Sequence, residues 1–347
     1  MHPDQQELRL AQTIKEIMLD ARRNHGECLH PEAPKHCSGG IIGARPVQKA
    51  LLRHIAGSDN RVYTPKVDSV AEDVFASMKK VSIRKVSLFH GFCDAHHSEL
   101  FQPVEVDSIQ LDRRHAFLLA YRALSLSLYA KMRFSAINLS KNLEGDVQDP
   151  GTKQMLEHIE NQQQGASPTT KDMETLAEMK QAFLRNDYSD TYFYAFIFDR
   201  IPDILSSGRI SPIFDIRALY LQHQNQMGPL DGITLSLLPY GAGQGVALFA
   251  WYGHRDANET FIKSILSLPQ HDIPNAIVRF LFNHIANVFF RPAWWDGLDS
   301  RKREDLLGRA FYNLHPLTRQ YVDMHHNGFN YVDWEVDGVK TNLDLQL

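Results

Sequence analysis

The residues of this 347-residue chain with the clearest capacity for chemistry are three cysteines, each of which has a histidine within three residues. Cys93 and His96 have the short Cys-x2-His spacing of a zinc knuckle, whereas eight residues separate Cys28 from Cys37. Thiolates and imidazole nitrogens are the ligands that structural zinc prefers. The pattern therefore predicts one Cys3His site, in which Cys28, Cys37, Cys93 and His96 bind a structural zinc ion.

Two alternatives to this ligand set stay open. His30, His36 or His97 can replace one of the four ligands, since each lies one or two residues from a proposed ligand. The thiols can also be free and buried, with solvated histidines around them. We favour zinc because cysteines used as ordinary core residues would be scattered along the chain, whereas residues 94–347 contain none.

A filled Cys3His site has no open coordination position, so the predicted zinc does not activate water. Any catalysis would then depend on the histidines left over, because imidazole titrates near neutral pH and can act as base or acid on a phosphodiester. We predict His90 as the base, His97 as a second candidate, and Arg84 and Arg45 as phosphate contacts. The alternative is that the spare histidines pack around the metal or orient its ligands.

Basic and aromatic residues in the N-terminal region favour RNA as a binding partner and substrate, although a solvated basic face explains the same residues equally well. They are Arg53, Arg61, Lys66, Lys79, Lys80, Arg84 and Lys85, with Tyr63, Phe89 and Phe92 available for stacking. The Arg-x5-His spacing used by some helical ribonucleases also occurs three times, but 17 histidines make such matches expected by chance.

Composition excludes several classes of protein. With 43% hydrophobic and 22% charged residues, the chain can bury a core, and its length predicts about two domains. A net charge of −4 and a pI of about 6.5 argue against a uniformly basic nucleic-acid binder. Three cysteines do not make a disulfide framework, and no apolar run approaches the ~20 residues of a membrane helix. Together with the polar N-terminus, these features predict a soluble cytoplasmic protein without a membrane partner.

Hydrophobic periodicity predicts an α+β fold in which helices dominate. The predicted helices cover residues 5–23, 112–143, 172–187, 256–268, 273–290 and 301–313. The predicted strands cover residues 60–64, 81–89, 192–198, 210–214, 233–239 and 245–252, and residues 41–55 form a helix or a strand followed by a helix. The last two strands form a hairpin, and we interpret Gly241–Gly245 as its positive-φ turn, not as a dinucleotide-binding fingerprint.

The order of these elements predicts three regions. Residues 1–110 form a treble-clef-like zinc finger and candidate nuclease module, because a strand, a cysteine-bearing turn and a short helix with His96 follow one another. Residues 111–190 form a helical region. Residues 191–347 form an α/β C-terminal domain.

The sequences around Cys28, Cys37 and Cys93 resemble a bacterial zinc-finger family found in accessory genomes, and the ring-activated zinc-finger RNases of anti-phage defence. The resemblance covers about residues 25–105. It implies an N-terminal zinc-finger RNase module and a C-terminal region that senses a ring-shaped phage assembly such as the portal. The activated protein would cleave RNA and stop growth, and we expect it to assemble as a homo-oligomer or as an oligomer templated by its partner.

Three functions therefore compete. The leading hypothesis is a ribonuclease that works by metal-independent transesterification, in which His90 deprotonates the ribose 2′-hydroxyl. An HNH-like DNA endonuclease would share the treble-clef scaffold but requires a catalytic divalent metal. A non-enzymatic binding module would use zinc for structure alone. The sequence contains no compact catalytic motif that separates these hypotheses.

Overall fold

A computed structural model of the protein describes residues 26–70, 73–106, 109–135, 170–222, 230–314 and 327–345. The strands are β1 Ile41–Ala44, β2 Arg61–Val70, β3 Asp73–Ser82, β4 Phe89–Cys93, β5 Thr191–Phe198, β6 Ile204–Ile210, β7 Ile233–Tyr240, β8 Gln244–Tyr252, β9 Val288–Phe290 and β10 Val336–Thr341. The helices are α1 Lys49–Leu52, α2 Asp94–Phe101, α3 Arg113–Ser135, α4 Thr170–Leu184, α5 Asp256–Leu266, α6 Ile273–His284, α7 Pro292–Gly297 and α8 Ser300–Leu314. The predicted helix over residues 5–23 lies outside the described residues.

The described strands form two antiparallel sheets, which confirms the α+β class. Eight strands make the large sheet in the order β10-β5-β8-β7-β6-β9-β2-β3, and β1 pairs with β4 alone. The predicted hairpin is confirmed as β7–β8 at the centre of the large sheet. Gly241 and Gly243 in its turn have φ angles of +53° and +92°, the region that favours glycine.

Helices cover both faces of the large sheet. The core on one face is built with side chains of α1, α2, α3 and α4, and the core on the other face with those of α5, α6, α7 and α8. Strand β5 shows the consequence, since Phe193 faces the first core while Tyr194 and Phe196 face the second. A strand buried on both faces has no polar alternation, which explains the continuous aromatic run.

Two strand predictions and one helix boundary are wrong. Residues 83–88 form a turn with Ser87 at a φ of +55°, so the strand predicted over 81–89 is divided between the ends of β3 and β4. The strand predicted over 210–214 lies earlier, as β6. The helix predicted to reach residue 290 ends at His284, because the apolar residues that follow pair in the sheet as β9.

Strands from before residue 110 belong to the large sheet. Tyr63 of β2 pairs with Phe290 of β9, and β3 pairs with β2 along its whole length. In the sequence, the hairpin β2–β3 therefore lies between β1 and β4. In space, both of its strands belong to the large sheet, where they follow β9. The division of the chain at residue 110 stays a prediction. None of the described helices is long and apolar enough to cross a membrane.

Helix α3 begins at a clear cap and contains a buried charge. The backbone N–H of His115 donates to Asp112 Oδ1 at 2.8 Å, so Asp112 is the N-cap residue. Two turns later, Arg122 is 0% exposed, and none of its guanidinium nitrogens has a hydrogen-bond partner among the described residues. Its nearest carboxylate oxygen, Oε1 of Glu105, is 3.7 Å away. Burial lowers the pKa of Arg122 to about 10.

We expect the Arg122→Met variant to keep its free energy of unfolding to within about 2 kcal/mol, because an apolar side chain avoids desolvating a poorly paired charge and the Glu105 carboxylate left behind is partly exposed to solvent. Chemical denaturation measures this, with Arg114→Met as the control, since Arg114 is exposed on the same helix. A loss of more than about 2 kcal/mol in Arg122→Met alone would contradict the prediction and indicate a bound partner for the guanidinium.

Candidate metal centre

Two of the predicted metal ligands are positioned by the junction of β4 and α2. Strand β4 ends at Cys93, whose extended backbone makes it the N-cap residue of α2. His96 follows in the first turn of the helix. Residues at the N-cap and third helical positions lie close together, which is why the Cys-x2-His spacing brings the two side chains to one place.

The other two ligands come from the loop before β1. Cys28 Sγ lies 3.4 Å from Nδ1 of His96, and Cys37 Sγ lies 3.5 Å from the same atom. The loop is held at Leu29, whose N–H donates to the Gly91 carbonyl at 2.8 Å and whose carbonyl accepts the Tyr121 hydroxyl at 2.7 Å. These contacts bring Cys28 to the helix end without requiring a metal.

All four predicted ligand atoms lie within 4.8 Å of one another. Tetrahedral zinc with Zn–S near 2.3 Å and Zn–N near 2.0–2.1 Å requires sulfur–nitrogen separations of about 3.6 Å. The observed 3.4 and 3.5 Å fit that geometry closely. All three cysteines are free of disulfides. The Cys3His cluster can therefore bind a metal, and its donor atoms and spacings are consistent with a structural zinc site.

The protonation of the thiols also depends on this crowding. Burial opposes ionisation of Cys93, but the backbone N–H groups of His96 and Ser38 lower the pKa of its thiol. Partial desolvation and the neighbouring Cys28 and Cys93 thiols raise the pKa of Cys37 to about 11. Three adjacent thiolates repel one another, and a divalent cation would relieve that repulsion.

Two histidines named as alternatives are buried outside the cluster. His30 is 0% exposed and stacks on the His96 ring, with centroids 3.9 Å apart and planes 8° from parallel. Burial, followed by the proximity of His96 and Lys180, lowers the pKa of His30 to about 4. His97 packs against Phe92 and Phe101, and burial followed by the charge of Arg122 lowers its pKa to about 4. Both rings are therefore neutral at pH 7.

The predicted phosphate contacts have different environments. The Arg45 guanidinium donates to the carbonyls of Ile83, Val86 and Arg84 at 3.1, 2.6 and 2.7 Å. Arg45 thus holds the turn at residues 83–87, whereas Arg84 is exposed on that turn. Lys85 is exposed beside it.

His90 lies half-buried in β4, where the pairing with β1 is irregular. Within the described part of the chain, no hydrogen bond or ion pair joins His90 or His97 to the side chains of Arg45 or Arg84. The structure therefore brings the four predicted metal ligands together, and the catalytic roles of His90, His97, Arg84 and Arg45 stay predictions.

Sequence reasoning missed three residues beside the metal cluster. Glu99 lies three residues after His96 on α2, a helical spacing that was visible in the sequence. Burial lowers the pKa of Lys180 on α4, and the nearby Glu27 and Cys28 oppose that shift, so Lys180 lies close to the cluster. Tyr121 contacts Leu29 across 92 residues of sequence, and no local pattern signals that contact.

Comparison with known proteins identifies no relative of this chain. No protein-family model, curated protein or solved structure matches the chain.

Proposed function

We propose that this chain is a zinc-finger ribonuclease in which zinc has a structural role and side chains outside the metal site act on RNA. The structural role of zinc is supported by the cluster of Cys28, Cys37, Cys93 and His96, and the action on RNA by the resemblance of residues 25–105 to zinc-finger RNases. Four protein donors fill a tetrahedral zinc ion, so no position is left for a metal-bound water. Hydrolysis at the zinc is therefore disfavoured, and cleavage has to depend on other groups.

The arrangement of elements around the cluster supports a treble-clef-like finger. Strands β1 and β4 form an antiparallel pair, and β4 leads directly into α2. Two ligands come from the loop before β1 and two from the start of α2. The hairpin β2–β3 occupies the connection between the two strands of the finger.

Burial limits which histidines near the cluster can contact an RNA substrate. His30 and His97 are almost completely buried, and His96 faces the thiols. His25 lies outside the described residues. His90 is half-buried and His36 is exposed, so these two are the described histidines near the cluster that a substrate can approach. We retain His90 as the base, because a side chain fixed in a strand is oriented more precisely than one in an exposed loop.

The turn at residues 83–87 supports a role for Arg84 and Lys85 in binding phosphate. Both side chains are exposed, and the backbone that carries them is fixed by Arg45 and by the N–H of Val47, which donates to Ser87 Oγ at 2.9 Å. A rigid basic turn binds a polyanion at lower entropic cost than a flexible one. We therefore assign Arg45 to positioning the turn and Arg84 to contact with the phosphate.

The proposed reaction is transesterification. His90 removes the proton from a ribose 2′-hydroxyl, and the 2′-oxygen attacks the adjacent phosphorus. The bond between phosphorus and the 5′-oxygen breaks, and the 5′-oxygen takes a proton from a general acid. The products are a 2′,3′-cyclic phosphate and a 5′-hydroxyl. Arg84 stabilises the additional negative charge on the phosphorane.

We also propose a role in anti-phage defence, with residues 191–347 sensing a ring-shaped phage protein such as the portal. Its support is the resemblance of residues 25–105 to the ring-activated zinc-finger RNases. On this proposal, binding to the ring relieves an inactive state and brings several copies of the chain together.

A cleavage assay with labelled RNA and DNA of the same sequence tests the proposal, with and without EDTA and a phage portal ring. We expect RNA to be cut in EDTA while zinc stays bound, and cutting to increase with the ring. DNA cleavage that requires added divalent metal would support the HNH-like alternative instead. Intact RNA and DNA at every ring concentration would support a binding module.

A further inference from the structure

Metal binding would leave an unpaired donor on His96. Its Nδ1 atom faces the sulfur atoms of Cys28 and Cys37, so Nδ1 supplies the lone pair to the metal. A neutral imidazole that binds metal through Nδ1 carries its proton on Nε2. Nε2 of His96 is buried and has no hydrogen-bond partner among the described residues. A buried N–H group of this kind requires an acceptor.

The buried ring of His30 also requires a hydrogen-bond acceptor. The backbone N–H of Glu32 donates to Nδ1 of His30 at 3.2 Å, so this nitrogen is unprotonated and the neutral ring carries its proton on Nε2. That Nε2 atom is also buried without a hydrogen-bond partner in the described structure. The two rings are stacked, which places two unpaired imidazole donors side by side next to the metal cluster.

One carboxylate lies next to both rings. Nε2 of His30 is 4.0 Å from Oε2 of Glu99, and ring nitrogens of His30 and His96 lie within 4.8 Å of each other and of a Glu99 oxygen. The Glu99 side chain is 54% exposed, so a rotation that shortens this distance by about 1 Å to ordinary hydrogen-bond length meets little packing resistance.

We infer that Glu99 is the carboxylate that orients His96 as a metal ligand: its oxygens accept hydrogen bonds from the Nε2–H groups of His96 and of His30, whose ring packs on the face of His96. A carboxylate in this position fixes the tautomer and orientation of the ligand and makes the imidazole a stronger donor. The inference rests on the proposed zinc site. It assigns Glu99 and His30 as positioning residues rather than as ligands.

His30, His96 and Glu99 also have the composition of a second metal site, but the tautomer of His30 argues against a metal ion there. Its Nδ1 lone pair is used by the Glu32 N–H, so Nε2 has a proton and no lone pair to offer a cation. The stacked rings are also nearly parallel, whereas two imidazoles that share one ion must direct their lone pairs to a common point.

Zinc affinity measured by competition with a chelator tests the inference on the full chain. We expect Glu99→Gln to weaken zinc binding about 10- to 100-fold and Glu32→Gln, the matched control, to change it less than about twofold. Glu32 is exposed, and the contact it makes with His30 uses the backbone. We expect His30→Phe, which keeps a stacked ring and removes the N–H group, to weaken binding less than Glu99→Gln.

A spectroscopic measurement separates orientation of the ligand from general stability. With cobalt in place of zinc, we expect the visible d–d bands of Glu99→Gln to shift, while its metal-free thermal unfolding matches that of the parent chain. Equal zinc affinity for Glu99→Gln and Glu32→Gln would overturn the inference, as would a stoichiometry of two metal ions per chain that falls to one in Glu99→Gln. A parent chain that binds no zinc would refute the metal site itself, a result distinct from both.

Discussion

Removal of the metal is expected to unfold the loop at residues 31–40, together with β1 and the first turn of α2, while Leu29 keeps its contacts with Gly91 and Tyr121 and the large sheet stays folded. Structural zinc contributes an apparent binding free energy of ~10–16 kcal/mol, which is comparable to the whole stability of a typical domain. Residues 31–40 contribute nothing to the apolar core, and their N-terminal side is anchored there by Leu29, with Cys28 and the buried His30 beside it. The rest of α2 stays in place, because Leu100 and Phe101 are buried in the core independently of the metal.

Hydrogen exchange measured with and without a strong chelator tests this expectation, and mass spectrometry under native conditions confirms loss of the ion. The Cys93→Ser variant should reproduce the chelated state, since a serine hydroxyl is a poor zinc ligand. Ser38→Ala is the matched control, because Ser38 is exposed in the same loop. Unchanged exchange at residues 31–44 after verified loss of the ion would show that the cluster is not a structural clamp.

Replacing His90 with alanine is expected to reduce RNA cleavage by about 10²- to 10⁴-fold, the usual contribution of a general base. Zinc content and thermal unfolding should remain those of the parent chain, since His90 is outside the ligand set and only half-buried. The measurement is the single-turnover rate on a labelled RNA.

The control is His36→Ala, because His36 is exposed and adjoins Cys37 but is not among the four clustered ligands. We expect this variant to retain the parent rate. A rate for His90→Ala within threefold of the parent would eliminate His90 as the base, and loss of activity in His36→Ala alone would transfer the role to that residue.

Half of the Cys3His cluster, Cys93 and His96, was predictable from sequence because its signal is local. The Cys-x2-His spacing at Cys93 translates directly into a helix start, and the surplus of cysteine and histidine near the N-terminus identified the partners. The central hairpin was predictable for a similar reason, since its glycine turn lies between two apolar strands. In the hairpin and at the Cys93–His96 helix start, neighbouring residues determine the structure.

What the sequence did not reveal depends on contacts between distant residues. The segment at 83–88 alternates as a strand does, but Arg45 bonds to three of its carbonyls and folds it into a turn. The apolar residues after His284 continue a helical pattern, yet they complete the sheet beside β6. The burial of His97, which argues against the catalytic role predicted for it, follows from packing against Phe101 and from no feature of the sequence around it.

The insertion of the hairpin β2–β3 between β1 and β4 has a consequence for the order of assembly. Cys37 and His96 are 59 residues apart in the chain, and the segment between them contains the hairpin β2–β3, which extends the large sheet. Contacts that close long loops form late in folding, because the chain must lose the entropy of loop closure before these contacts can stabilise it. Joining Cys37 to His96 closes 59 residues of chain, whereas pairing Tyr63 with Phe290 closes 227 (290 minus 63), so zinc capture should precede the docking of this hairpin on β9.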